Sequence, residues 1–236
     1  MADLKTRLLD LAQQAHAFQR VFVADLSPDE RNTPGSWENW SIKDETAHVI
    51  AWQSNTVARL AALLNHEDLP DFSDIEKINR AVFNTNRDRP LAEIVADGDQ
   101  AVADFSALIG PLSDDDLTQP GRFSDQEKRP IVDLTIGDLF WHPVTHFAYY
   151  YLRHGAVARA TEMQEASVAA VADVPAWLGT ARYNRACFFA LSGQNEKALQ
   201  ELEAVLRMRP DLIEWSKQDP DLAALHDEPG YQALYQ

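Results

Sequence analysis

Apolar residues recur at three- and four-residue spacing along most of this chain, and the runs of alternating Val, Ile and Thr that mark strands are missing. Leu4, Leu8, Leu11, Ala15, Phe18 and Phe22 form the first such stripe, with Lys5, Arg7, Gln13, Gln14 and Arg20 between them, and predict a helix over residues 3–25. Ser27-Pro28-Asp29-Glu30 is a helix-start signature opening a short turn, and Asn32-Thr33-Pro34-Gly35 then breaks the chain. A second helix starts at Ser41, where a serine N-cap with Asp44 at the third helical position makes an acidic variant of the capping box. Its apolar face, with Ile42, Ala47, His48, Ala51, Trp52, Val57 and Leu60, runs to about residue 64 and points His48 inward.

Residues 74–84, with Ile75, Ile78, Val82 and Phe83, predict a short helix. A third long helix spans 91–109, with Ile94, Val95, Val102, Phe105 and Leu108 inward and Gly110-Pro111 as its stop. Ser113-Asp114-Asp115-Asp116 resembles another short helix start, and residues 118–130 read as a loop that borders a pocket. The fourth helix begins near Thr135. Pro143 lacks the amide hydrogen an interior helical position donates, so the helix either kinks there or breaks, with one segment ending near Trp141 and another starting at Pro143. Gly155 is not read as its end, because 156–166 keeps a helical composition. After Val174-Pro175 the character changes, and 183–210 reads as a helical hairpin with its turn at Ser192-Gly193-Gln194-Asn195, followed by short pieces. The organisation expected is a bundle over 1–165 and a helical module over 175–236.

Composition narrows the class. The 236 residues suffice for one large domain or two modest ones, and only nine are glycine, so long segments of Ala, Leu, Gln, Glu and Asp predict an all-α fold. The net charge is −16, from 37 acidic and 21 basic residues, which disfavours nucleic acid and anionic membranes as partners. The N-terminus, MADLKTRLLDLAQQ, carries early acids and no apolar core, so it does not read as a signal peptide. No apolar run approaches the roughly 18 residues needed to span a bilayer. Cys187 is the single cysteine, which excludes an intrachain disulfide; among Ala186, Phe188 and Phe189 it reads as a small buried apolar residue. A cytoplasmic setting fits these features.

Candidate chemistry gathers in residues 141–155, WHPVTHFAYYYLRHG. His142 and His146 leave one face of a helix a turn apart and can hold two positions of a metal ion, and His48 is the best third ligand. Read alone, an inward histidine is more often a core residue hydrogen-bonded to a neighbour than a ligand. Asp44 and Asp138 stand four residues before His48 and His142; each either orients its histidine or simply favours the positive end of its helix. His16, His66, His154 and His226 are expected at the surface.

The arrangement around Trp40–Trp52 together with His142-Pro143-x-x-His146 resembles the DinB-like four-helix bundle superfamily over about residues 1–165. That resemblance implies one histidine from the second helix and a pair from the last converging on a divalent metal, zinc or nickel before others, although some members need none. The stretch PGSWENWSIKDETAHVIAW and the later FSDIEKINRAVF look closest to the ClbS/DfsB branch, some of whose members protect cells from reactive metabolites. Ala186, Phe189, Ala198 and Pro210 are similar to a single tetratricopeptide repeat, from which Arg185 and Val205 depart, so the hairpin is expected to pack on the bundle or on its own C-terminal pieces. Three functions follow as expectations. One is a metal-dependent hydrolase or thiol transferase acting on a small electrophilic molecule. The second is a metal-independent protective protein of the ClbS type, with a pocket lined by Trp37, Trp40, Trp52 and the tyrosines 149–151. In the third, the hairpin recruits a protein partner to a bundle scaffold. A homodimer is compatible with each.

Overall fold

The computed structural model describes residues 3–235, and among them the chain is helical, with no β-strand beyond one isolated bridge between Ser36 and Asn39. Two compact units are present, Met1–Phe147 and Ala148–Gln236, so the composition change at Val174-Pro175 falls inside the second. No described helix is long and apolar enough to cross a membrane.

The first unit contains α1 (Leu4–Ala24), α2 (Pro28–Asn32), α3 (Ile42–Asn65), α4 (Ile75–Asn86), α5 (Leu91–Ile109), α6 (Asp114–Thr118), α7 (Ile131–Leu134), a π-helical segment (Thr135–Trp141) and the start of α8 (His142–Arg153). The long elements form a ring: α3 lies on α5, α5 on α1, α1 on the π-helical segment, and that segment on α3. Leu8, Leu11 and Phe22 of α1, Ile94 and Phe105 of α5, and Ile136 and Phe140 of the π-helical segment are buried between them. Phe22 stacks on Phe147 with ring centroids 4.3 Å apart. Each such side chain contributes about 1.5–3 kcal/mol by leaving water.

The N-terminal end of α3 is not amphipathic. Residues 42–50 are all buried, including Lys43, Asp44, Glu45 and His48. Lys43 donates from Nζ to the Arg87 carbonyl at 2.7 Å. Asp44 caps the helix: its Oδ2 accepts from the amides of Gly35 (2.6 Å) and Ser41 (2.8 Å) and from the Ser41 hydroxyl (2.7 Å). Gly35 has no alternative, because a Cβ there would stand 2.3 Å from the Asn39 carbonyl oxygen and 2.5 Å from the Ser41 nitrogen.

Pro143 is accommodated by a change of helical register. The His142 amide donates to the Gly137 carbonyl, five residues back, and the α-register resumes at His142. The chain stays helical through Pro143, and the boundary expected near Trp141 is a change of helical register one residue before the proline. The widened turns remove the α-register contact in which the proline ring would strike a carbonyl four residues back. Gly155 does end α8, contrary to expectation: its φ of +77° suits glycine, and the Ala156 amide closes back on the Tyr151 carbonyl at 2.9 Å. A separate helix, α9 (Val157–Ala170), follows.

In the second unit α10 (Pro175–Leu191) and α11 (Asn195–Met208) form the expected hairpin. Its apolar side, with Ala186, Phe188, Ala198 and Leu202, is closed by Leu222 and Leu225 of the 3-10 turn Pro220–Leu225 and by Tyr231. The hairpin thus packs on its own C-terminal pieces. Tyr149 and Tyr151 pack on this cluster. Cys187 is buried there with its thiol pushed up by burial, which fits the role of a small core residue.

Asp44→Ala strips the cap acceptor from three donors in a buried setting and is expected to destabilise the protein by roughly 2–3 kcal/mol, read from urea unfolding. A loss below about 0.5 kcal/mol would show that water replaces the carboxylate.

Candidate metal centre

Two helices of the first unit bring the histidines together. His48 comes from the buried start of α3, and His142 and His146 from the first turn of α8. The Nε2 atoms of His48 and His142 lie 3.3 Å apart. One ring nitrogen of each of the three residues lies within 4.8 Å of the others. The His146 ring centroid is 4.6 Å from that of His48 and 4.6 Å from that of His142. Trp40 packs on the His48 ring at 5.0 Å and Trp52 at 6.3 Å, while the Trp52 indole is fixed by donating to Asn79 Oδ1 at 2.8 Å.

The carboxylate that orients a histidine here is neither Asp44 nor Asp138, and Asp44 takes the other role open to it, at the positive end of its helix. Glu45 Oε2 stands 2.8 Å from His146 Nδ1, which leaves His146 Nε2 for the centre. Asp44 is spent on the cap of α3. Asp138 meets Thr56 Oγ1 at 3.5 Å and Arg129 Nη1 at 3.4 Å, and burial raises its carboxyl above the usual range. Glu45 was legible in one respect: it precedes His48 by three residues, hence on the same helix face. Its partner, a hundred positions away, was not.

Burial, then the neighbouring His146 and His142, push the His48 imidazole down to about 3; burial and His146 do the same to His142. Both rings are therefore neutral at ordinary pH, with lone pairs available. A cavity of about 270 Å³ opens beside His142. Trp52, Thr56 and Arg59 line it from α3, Phe72 and Ile75 from the other side, with Arg129 and Asp138 completing the wall.

A family model described as the DinB superfamily matches residues 10–151, more than half of the chain. The chain belongs to the DinB superfamily. Comparison with curated proteins and with solved structures gave no match. For a DinB protein the donor set suits a divalent metal. Two ligands about 2.0–2.1 Å from a tetrahedral ion stand about 3.3–3.4 Å apart, as the two Nε2 atoms do, and neutral imidazole suits zinc and nickel. His48 Nδ1 is buried with no hydrogen-bond partner among the described residues, so packing against the tryptophans holds that ring.

The remaining DinB histidines stand apart. His66, His154 and His226 are exposed, as expected. His16 differs: it is half-buried, with Nε2 2.8 Å from Asp99 Oδ1. A second group of donors, Cys187, Asp219 and Asp221, is engaged in structure, since Asp219 accepts from the Tyr183 hydroxyl at 2.8 Å and the Trp215 indole at 3.0 Å.

Two outcomes are expected. Glu45→Gln weakens the bond that holds His146, and zinc affinity, measured by chelator competition, should fall about 10- to 100-fold. Unchanged affinity would leave Glu45 a purely structural partner. The pH dependence has a definite sign. His48 and His142 titrate near 3 when folded and near 6.5 when unfolded, so in between the unfolded chain binds more protons. The metal-free protein should be fully stabilised above about pH 6.5 and lose stability as pH falls through 6 to 5, before most carboxylates titrate. His142→Ala should flatten that part of the thermal-midpoint profile.

Proposed function

We propose that this DinB-superfamily protein is a metal-dependent enzyme, a hydrolase or thiol transferase acting on a small electrophilic molecule, with zinc or nickel held by His48, His142 and His146. The observation that carries this reading is the meeting of three imidazoles, two of them held neutral, one of which, His142, lines a cavity of about 270 Å³. A bound divalent ion supplies Lewis acidity at that edge. The chain supplies the rest. Glu45 fixes the His146 ring, and Trp40 and Trp52 exclude water from one side of the histidines. Asp138 sits on the cavity wall with its carboxyl raised by burial, placed to take a proton at Oδ from an incoming water or thiol and return it to the leaving group. Thr56 and Arg129 hold that carboxyl in place.

One feature favours the metal-independent reading of the ClbS/DfsB branch. Trp37, Trp40 and Phe83 form an aromatic run that leads to His48, with Trp37 and Trp40 centroids 5.8 Å apart and Trp37 and Phe83 5.9 Å apart. Such a lining can hold a flat organic molecule without an ion. Tyr149 and Tyr151 do not strengthen this reading, because they pack on the core of the second unit. Recruitment of a protein partner by the α10–α11 hairpin has less support, since the hairpin's apolar side is covered by its own C-terminal turns.

Metal analysis and turnover decide between these. The probes are p-nitrophenyl acetate for hydrolysis and cysteine with 1-chloro-2,4-dinitrobenzene for thiol transfer. His48→Ala, His142→Ala and His146→Ala are each expected to lose the bound ion and at least about a hundredfold in turnover, with helical circular dichroism retained. Full turnover in all three variants would replace the metal reading with the metal-independent one.

A further inference from the structure

The cavity beside His142 has a composition that the histidine centre does not explain. His48, Trp52, Thr56 and Arg59 follow one another at four-, four- and three-residue spacing, so they lie on one stripe of α3. Side chains on a helix lean toward its N-terminus, which brings the Arg59 guanidinium back along that stripe toward the histidines. Arg59 is 22% exposed, and its Nε stands 2.7 Å from Oε2 of Glu127, a carboxylate only 6% exposed. That ion pair is out of line for a hydrogen bond: both Arg59 Nε and Glu127 Oε2 are buried without an aligned partner. The Nη1 and Nη2 donors of Arg59 find no acceptor among the described residues. A guanidinium has five N–H donors in a planar fork, and an edge with two free donors matches a carboxylate.

The surroundings say what kind of molecule would carry that carboxylate. Trp52 and Phe72 meet edge to face with centroids 5.8 Å apart and form an apolar corner, and the Arg59 guanidinium carbon is 6.0 Å from the Phe72 ring centroid. The charges of Arg59 and Arg129 are matched by Glu127 and Asp138, so the walls sum to zero before a ligand enters. An ion on three neutral imidazoles makes that sum positive; this step rests on the function proposed above. The net charge of −16 on the chain repels polyanions at long range, which restricts the ligand to a small molecule of low charge.

We propose that the cavity beside His142 binds a small, flat organic carboxylate, with the free edge of Arg59 on the carboxylate and the Trp52–Phe72 corner on its apolar body. Substrates of this protein therefore carry a carboxylate distant from the electrophilic atom. The Arg59–Glu127 pair is a positioning contact that presents the guanidinium edge to the cavity.

The test uses 4-fluorobenzoate and 4-fluorobenzamide, which share shape and differ in charge, with dissociation constants read by fluorine NMR on the full chain. Both zinc-loaded and chelator-treated protein are titrated. The wild type should bind the benzoate at least tenfold more tightly than the benzamide. Arg59→Lys keeps a charge for Glu127 but lacks the planar fork, and the preference should fall severalfold. Arg59→Leu with Glu127→Leu removes the pair without leaving a buried carboxylate unpartnered, and the preference should vanish while circular dichroism and zinc content stay as in the wild type. Equal binding of the two probes, or binding of neither, overturns the proposal. A preference that survives in both variants and disappears on chelation assigns the anion to the metal and also overturns it. If the wild type takes up no metal yet keeps an Arg59-dependent preference, the metal reading fails and the anion site stands.

Discussion

Nine consecutive residues at the start of α3, 42–50, are buried, and four of them, Lys43, Asp44, Glu45 and His48, can carry charge. Polar groups in such a place are tolerated only when partnered, and each partner ties α3 to a different part of the first unit. Lys43 holds the carbonyl of Arg87 after α4, Asp44 holds the turn at Gly35, and Glu45 holds His146 on α8. His48 meets His142. The same burial that makes these contacts obligatory also strips the two imidazoles of protons. Fold and candidate chemistry thus share one constraint, the dry N-terminal end of one helix.

The opposite wall depends on Pro143. A proline directly after the first histidine of the pair would disrupt an ordinary helix, and the chain answers with a π-helical segment before it. The His142 amide is satisfied by Gly137, and Phe140 and Ile136 still reach the core. The histidine pair therefore stands on a fresh α-helical turn, with His142 and His146 on one face toward α3. Asp138, inside the wide turns, serves the cavity wall instead of His142 and is held by Thr56 and Arg129.

The first unit's cavity grades from histidine to aromatic wall to charged rim along one stripe of α3. His48, Trp52, Thr56 and Arg59 follow one another with helical spacing, so a single element aligns the histidine cluster with the charged rim of the cavity. The loop before α7 supplies Glu127, whose burial against Arg59 anchors an irregular stretch to this helix. The second unit is built on other terms: a helical hairpin closed by short C-terminal turns, with Asp219 satisfied by Tyr183 and Trp215.

Sequence alone determined what is local. The stripe of α1, the Ser41 and Asp44 cap, the 91–109 span of α5 and the hairpin turn at 192–195 follow from spacing and capping within a few residues, and these were legible. The inward direction of His48 and the shared face of His142 and His146 are also local, since a helix fixes which neighbours share a face. Their meeting, the choice of Glu45 over Asp44 and Asp138, and the pairing of Arg59 with Glu127 were decided by tertiary structure. Those contacts join positions far apart in the chain, and their partners are set by how helices pack and by which donor claims each carboxylate first. Gly155 shows the same limit from the other side, because helical composition continues through it while the backbone, free to take a positive φ, turns away.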